Sequence, residues 1–147
     1  MGEPWAEELT AIRRAFSLFP ETFAGGPLEP YLESIHPDVE WVPVLAALEG
    51  RVYRGHEGLR QWFADLRDDW EVFIPVLEEV RPLGDGYFLG LGLWEARGRV
   101  SGVDLGGKQA ATWLLHTRDG RIDRLQTFTD RDEGLKAAER LLAGPPA

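Results

Sequence analysis

The sequence predicts an α+β fold in which a curved mixed or antiparallel sheet wraps around about three N-terminal helices and a short C-terminal helix follows. Residues 1–70 hold apolar positions at helical spacing, and residues 71–130 hold runs rich in β-branched and aromatic residues between turns with Gly or Pro. The chain has 147 residues, of which 44% are hydrophobic, so we expect one domain over 1–147 with a frayed tail from about residue 143.

Three N-terminal segments have the apolar spacing of an amphipathic helix. The first is expected to end at Pro20, because proline interrupts the helical hydrogen bonds. The second is short and reaches Ile35, since Pro37 disfavours helix at the residue before it. The third, GHEGLRQWFADLRDDW, closes with Trp70. Helical spacing returns in the C-terminal segment 132–142.

Six segments are expected to form the strands. The run DVEWVPV predicts a short strand, and LEGRVYRG predicts a short strand or a turn. Beyond the third helix the strand segments are VFIPVLEEV, GYFLGLGLWEARGRV, KQAATWLLHT and RIDRLQTFTD.

An Asp-Gly pair at 119–120 predicts a hairpin between the last two strands. This turn pairs His116 with Asp123 and places Trp113 and Phe128 on one face of the sheet. The first pair could hold a general base, but a surface pair is favoured so near a turn. The two aromatics would need a cover, and a second copy of the chain is the simplest one. We therefore expect a homodimer through the outer sheet face.

Composition excludes several classes of partner and cofactor. With 16 Lys and Arg against 25 Asp and Glu, the net charge of −9 argues against nucleic acid and against anionic membranes. The chain has no cysteine, and its three histidines are dispersed, so no metal is expected. The Gly-Gly pairs lack the setting of a phosphate cradle, so no nucleotide or other cofactor is expected. Because no signal segment or long apolar run is present, we expect a cytoplasmic protein.

Five short motifs and their order resemble the SnoaL-like branch of the nuclear transport factor 2-like superfamily, to which ketosteroid isomerases and limonene-epoxide hydrolases also belong. The motifs are IRRAF, HPDVEWVP, YRGHEGLRQWF, GRVSGV and RDGRIDRLQTFTDRDEGLKAA. The resemblance implies a cone, with a curved sheet around helices, an apolar pocket open at the wide end, and usually a dimer through the outer face. It implies no single activity, because the fold hosts isomerases, cyclases, hydrolases, dehydratases and binding domains.

The catalytic sets of the two best-defined enzymes are not matched. A ketosteroid isomerase-like site needs a carboxylate base where Val42 stands, and a donor tyrosine where the first helix has Phe16 and Phe19. An epoxide hydrolase-like site needs an Asp–Arg–Asp set, but Thr127 stands at the required acid, and Gly92 and Trp94 lie near the other two positions. No catalytic residue is therefore carried over from either enzyme.

Glu40 and Glu95 are the candidate catalytic acids, since a carboxylate buried in an apolar strand is suited to proton transfer. Trp41 follows Glu40 and would face the other side, so only one of these two points inward. Glu95 shares a strand face with Arg97 and Arg99, which favours a solvated ion-pair ladder. A SnoaL-like isomerase, cyclase or hydrolase would use one of these acids.

We expect an apolar pocket, because small residues on the sheet leave space between aromatic side chains. The expected lining residues are Phe16, Trp41, Val42, Tyr53, Trp62, Trp94, Thr112 and Thr127. A small hydrophobic or polycyclic metabolite is the expected ligand. The alternative function is a non-catalytic ligand-binding or assembly domain.

Overall fold

The described part of the chain, residues 6–43, 52–98, 109–128 and 130–143 of a computed structural model, forms four helices and six strands. The helices are α1 (Ala6–Phe23), α2 (Glu29–Leu32), α3 (Gly55–Asp69) and α4 (Arg131–Ala143). The strands are β1 (Ile35–Val42), β2 (Tyr53–Arg54), β3 (Trp70–Gly84), β4 (Tyr87–Gly98), β5 (Gln109–Arg118) and β6 (Arg121–Phe128). Parts of the predicted elements, including most of GRVSGV and the tail beyond 143, lie outside these residues.

The six strands form one mixed sheet in the order β2-β1-β6-β5-β4-β3. Neighbouring strands are antiparallel except β1 and β6, which run parallel. The carboxyl ends of β1, β4 and β6 therefore lie at one end of the sheet, and both hairpin turns lie at the other. The predicted α+β class and mixed sheet are confirmed. No helix among the described residues has the length and apolar character needed to cross a membrane.

The aromatic side chain of Phe19 lies at the centre of the core between the helices and the sheet. Phe19 is 1% exposed, and its ring centroid lies 5.4–6.0 Å from the rings of Phe23, Trp62, Phe63 and Phe73. These rings belong to α1, α3 and β3, so one side chain joins all three elements. Aromatic pairs at such distances add about 0.5–1.5 kcal/mol each beyond the area that they bury.

The prediction that α1 ends at Pro20 is wrong, because the helix continues to Phe23. The carbonyl of Pro20 accepts a hydrogen bond from the N–H of Ala24 at 3.0 Å. The guanidinium of Arg67 on α3 donates to the carbonyls of Thr22 and Phe23 at 2.7 and 3.1 Å. A charged donor on the last carbonyls stabilises a helix end. These contacts hold the last turn in spite of the missing proline N–H.

Two residues assigned to the ends of helices begin strands instead. Ile35 starts β1 and Trp70 starts β3. Pro37 is tolerated inside β1 because the pairing with β6 shifts register between Ile35 and Glu40, where no ladder hydrogen bond from the proline is required. Large apolar residues at these two boundaries continue the helical spacing by coincidence, so spacing alone misplaces both boundaries.

The predicted hairpin at Asp119 and Gly120 is confirmed, and both residues have the positive φ, 56° and 75°, of a type I′ turn. The predicted register is wrong beyond the turn, because a bulge inserts Asp123 and His116 pairs with Arg124. A bulge next to a tight turn leaves no clear signal in residue spacing, which explains the error.

The expectation that Trp113 and Phe128 share the outer face is wrong. Trp113 pairs with Thr127 and packs edge-on against Phe16 of α1, with 4.8 Å between ring centroids. Phe128 pairs instead with Thr112 on the opposite face. The aromatic residue that was to be covered by a second copy is therefore covered by the helices of its own chain.

The chain's own α4 covers part of the outer face. Ala138 of α4 packs with Leu89 and Leu91 of β4, and all three are buried. A Cβ built on Gly134 of α4 would overlap the side chain of Thr112 on β5. The close approach of α4 to the sheet thus requires glycine at that position.

Gly92 on β4 lies against the bulge of β3 between Leu77 and Glu79. A Cβ on Gly92 would overlap the backbone carbonyl oxygen of Val76, which cannot move without breaking the ladder. A Cβ on Gly90 would meet only the ends of side chains, at 3.0 Å or more. We predict that Gly92→Ala lowers the free energy of unfolding by about 1–3 kcal/mol and that Gly90→Ala lowers it much less.

Thermal unfolding followed by circular dichroism tests this pair of variants. For a chain of this size, each kcal/mol corresponds to a Tm change of about 2–4 °C. Equal Tm values for the two variants would contradict the argument from the Val76 carbonyl.

Candidate functional site

A small aromatic cavity lies between the inner face of the sheet and helices α1 to α3. Its volume is about 40 Å³, counted over the positions that the centre of a water molecule can take. One water needs roughly 10–15 Å³ by this measure, so the cavity has room for little more than a few waters. The lining residues are Ala15, Phe16, Phe19, Tyr31, Trp41, Pro43, Trp62, Phe73, Pro75, Trp94, Trp113, Ile122, Leu125 and Thr127.

Three strands bring their carboxyl ends to the cavity. Trp41 and Pro43 lie at the end of β1, Trp94 near the end of β4, and Thr127 near the end of β6. Strand alternation turns the side chains of Trp94 and its second neighbours toward the helices. Most strand residues of the wall therefore lie toward the end of the sheet opposite to the two hairpin turns, and Ile122 extends the wall toward the start of β6.

The polar groups on the cavity wall are neutral. They are the hydroxyls of Tyr31 and Thr127 and the indole N–H groups of the tryptophans. None of the described residues on the wall is a carboxylate or a histidine. The Nε1 atoms of Trp41 and Trp94 are buried without a hydrogen-bond partner. An unsatisfied buried donor costs about 1–3 kcal/mol.

Tyr31 stays protonated on this wall. The residue is 3% exposed, and its ring lies edge-on to those of Phe63 and Trp41 at 5.1 and 6.3 Å. Burial among these rings raises the pKa of the Tyr31 phenol above its ordinary value, because the phenolate would lose its hydration. Tyr31 thus supplies a neutral hydroxyl to the cavity.

Five of the eight expected lining residues lie on the cavity wall. These are Phe16, Trp41, Trp62, Trp94 and Thr127. The other three do not line it. Val42 follows Trp41 and takes the opposite face, and Thr112 lies on the outer face beneath Gly134. The Tyr53 hydroxyl instead donates a hydrogen bond to the Asp65 carboxylate at 2.6 Å.

Glu40 and Glu95 both lie away from the cavity. The Glu40 carboxylate accepts a hydrogen bond from Arg54 at 3.0 Å, and both side chains are about half exposed or more. Glu95 is half-buried and alternates with Trp94, which lies on the inner face. The expected arginine ladder extends to Arg99, which lies outside the described residues. The structure therefore brings neither acid to the cavity wall.

His116 and Asp123 are in contact in spite of the bulge. The imidazole Nδ1 lies 2.6 Å from the Asp123 Oδ1, and Nε2 lies 3.2 Å from the carbonyl oxygen of Asp85. The Tyr87 ring lies 4.5 Å from the imidazole. This cluster links the two hairpin turns at the end of the sheet away from the cavity, which is a structural position. Among the described residues no group of acids and histidines could hold a metal ion.

Sequence reasoning missed four aromatic residues on the wall. They are Phe19, Tyr31, Phe73 and Trp113. Trp113 was assigned to the wrong face of β5. Tyr31 belongs to a helix of four residues, which is too short for its spacing to show a direction. Phe19 and Phe73 lie within apolar patterns, which predict that a residue is buried but do not distinguish the wall of a cavity from the rest of the core.

Comparisons with solved structures identify the fold. TerC, co-crystallised with polyporic acid, has a TM-score of 0.70 and 20% identity, with 92% of this chain and 100% of TerC covered. An NTF2-like protein of unknown function from Burkholderia pseudomallei K96243 has a TM-score of 0.70 and 15% identity, with 92% and 99% covered. A putative SnoaL-like polyketide cyclase from Jannaschia sp. CCS1 has a TM-score of 0.67 and 18% identity, with 99% of both chains covered.

These structures share the fold of this chain at low sequence identity. No family model and no curated protein matches the sequence. The chain therefore has the nuclear transport factor 2-like fold that its motifs predicted, in the form seen in SnoaL-like and ketosteroid isomerase-like structures.

Because the Tyr31 phenol is buried, we predict that the fold loses stability at alkaline pH. The unfolded chain ionises this phenol near pH 10, whereas the folded chain keeps the proton because burial raises the pKa. The unfolded state then binds fewer protons, so the free energy of unfolding falls as the pH rises above about 10. We predict that Tyr31→Phe removes part of this fall.

Thermal unfolding between pH 8 and 11.5 measures this effect in the unchanged chain and the variant. Tyr87→Phe is the control, because Tyr87 is only half-buried and lies far from the cavity. Parallel curves for the unchanged chain and Tyr31→Phe would show that Tyr31 ionises equally in both states.

Proposed function

We propose that this protein binds a small, flat, apolar molecule in the aromatic cavity. The observation that carries the proposal is the composition of the wall, where eight aromatic side chains surround a space with only neutral polar groups. Aromatic and aliphatic walls with a few polar groups are typical of small-molecule sites. The ligand enters between rings that already stack and pack edge-on with each other.

The geometry favours ligand binding over acid–base catalysis. General acid–base chemistry needs a titratable group within hydrogen-bond reach of the substrate. Glu40 is held by Arg54 on the outer side of the sheet, and Glu95 faces away from the cavity. Of the two functions that the sequence left open, we therefore propose the non-catalytic one.

Binding requires the wall to move, because the cavity has room for only a few waters, which is too little for a bicyclic molecule. Phe16 is the side chain best placed for this movement. It is only partly buried, and it closes the cavity by packing edge-on against Trp113. Rotation of its ring toward solvent would enlarge the cavity without breaking a hydrogen bond.

Two similar structures support this class of ligand. TerC was crystallised with polyporic acid, an organic acid, and another similar structure is described as a putative SnoaL-like polyketide cyclase. These likenesses support a small organic ligand in the same fold, and the aromatic wall of this chain supports a flat one.

Filling the cavity should abolish binding. Ala15 lines the cavity from α1, and Ala15→Leu places three more carbon atoms in it. Ala11→Leu is the matched control, because Ala11 is buried on the same helix but does not line the cavity. We predict that indane or 1-indanone raises the Tm of the unchanged chain and of Ala11→Leu, but not of Ala15→Leu.

Thermal shift with both compounds measures this difference. At a concentration of about 100 Kd, binding adds about 2.7 kcal/mol to the free energy of unfolding. Glu40→Gln and Glu95→Gln should keep the full shift. Absence of any shift with either compound would refute the proposed function, and an unchanged shift in Ala15→Leu would refute the cavity as its site.

We also propose that the chain forms a homodimer through the outer sheet face. An apolar strip on β3 supports this proposal. Its residues Ile74 and Val76 are 37% and 41% exposed, and α4 packs on β4 instead. A twofold axis through this strip would cover it with its own copy.

Substitution of the strip tests the homodimer. We predict that Val76→Asp gives a monomer, whereas Val52→Asp, at an equally exposed valine outside the strip, leaves the dimer intact. Light scattering measures the mass of each. A mass of 16.5 kDa for the unchanged chain at micromolar concentration would contradict the dimer.

A further inference from the structure

Two buried indole N–H groups belong to residues of the cavity wall and have no acceptor among the described residues. Among the described residues, Trp41 and Trp94 are the cavity-lining residues with a buried polar side-chain atom that lacks a hydrogen-bond partner. Trp70 has the same defect elsewhere in the core, so it serves as an internal comparison. Two tryptophans with an unpaired buried N–H therefore lie on the wall of one small cavity.

An unsatisfied donor of this kind calls for an explanation. Folded proteins leave few buried polar groups unpaired, and each such group weakens the fold. The indole nitrogen only donates hydrogen bonds. A neighbouring donor therefore cannot satisfy it in any orientation of the ring. Phenylalanine would continue the aromatic wall without this cost. No described residue accepts from either nitrogen, and a bound molecule can supply the acceptor.

The position of both indoles suits a bound molecule. Trp41 and Trp94 lie near the carboxyl ends of β1 and β4, at the same end of the sheet. Trp41 lies 5.3 Å from Trp62, and Trp94 stacks on Phe73 at 6.0 Å with 25° between the ring planes. Both indoles therefore pack against other aromatic rings of the wall, and a flat molecule in the cavity would contact these rings.

We infer that the cavity selects flat ring compounds that carry an oxygen acceptor, such as a ring carbonyl, because Trp41 and Trp94 donate hydrogen bonds to it. This inference rests on the proposed function and specifies its ligand class. The described wall residues offer no carboxylate, so a ligand ammonium group finds no counter-ion there. Trp41 and Trp94 are specificity-determining residues in this scheme, and they orient the ligand by its oxygen.

A matched pair of compounds isolates the acceptor. Indane and 1-indanone share one bicyclic skeleton, and only 1-indanone has a ring carbonyl. We expect 1-indanone to bind more tightly than indane, and we expect this preference to fall about 3- to 10-fold in Trp41→Phe or in Trp94→Phe, as for the loss of one net hydrogen bond. Trp70→Phe is the control, because Trp70 also has a buried unpaired N–H but does not line the cavity.

Calorimetric titration of the two compounds separates this inference from the proposed function. Equal affinities of the unchanged chain for both compounds would overturn the acceptor preference while binding in the cavity stands. A preference that survives in both Trp41→Phe and Trp94→Phe would overturn the role of these two residues. Binding of neither compound would overturn the inference together with the proposed function.

A second measurement does not depend on the variants being folded. The chain has six tryptophans, so one indole N–H signal for each is expected in a nitrogen-15 correlation spectrum of the unchanged protein. We expect two of these signals to move further downfield with 1-indanone than with indane, because a hydrogen-bonded indole proton is deshielded in addition to any ring-current effect that both compounds share. The same shifts with both compounds, or none with 1-indanone, would overturn the inference.

Discussion

The packing of Phe19 against rings from three elements is the contact on which the rest of the structure depends. It fixes α1 to α3 and to β3, and so sets the distance between the helices and the sheet. Trp62 and Phe73 belong at once to this core and to the wall of the cavity. The site is therefore a gap in the aromatic core, and its shape and the stability of the fold depend on the same side chains.

Most of the fold could be predicted from the sequence, because long periodic segments and an Asp-Gly turn report local structure directly. The errors lie where tertiary contacts decide. Pro20 stays inside α1 because Arg67, which is distant in sequence, holds the end of the helix. The bulge at Asp123 changes the register of β5 against β6, and it stands next to a turn that was predicted correctly.

The candidate site was predicted only in part, because strand alternation shows that two faces exist and does not show which one is inner. Trp41 and Trp94 were placed on the wall, but nothing in the sequence shows that their N–H groups lack partners. Thr112 and Trp113 are neighbours on β5, so one wrong choice of face misplaced both. Hydrogen-bond satisfaction is a property of the packed chain, and spacing carries no information on it.

The contacts of His116 with the first hairpin turn and with β6 have a consequence for the register of this sheet. Asp85 and Asp119 have left-handed backbone conformation in the two hairpin turns. The imidazole of His116 contacts Asp85 in the first turn and Asp123 beside the second. His116 thus joins β5 to β6 and to the turn between β3 and β4 through side-chain contacts that add to the ladder hydrogen bonds. Slippage of β5 against β6 would have to break both kinds of contact, so the imidazole resists a change of register at this end of the sheet.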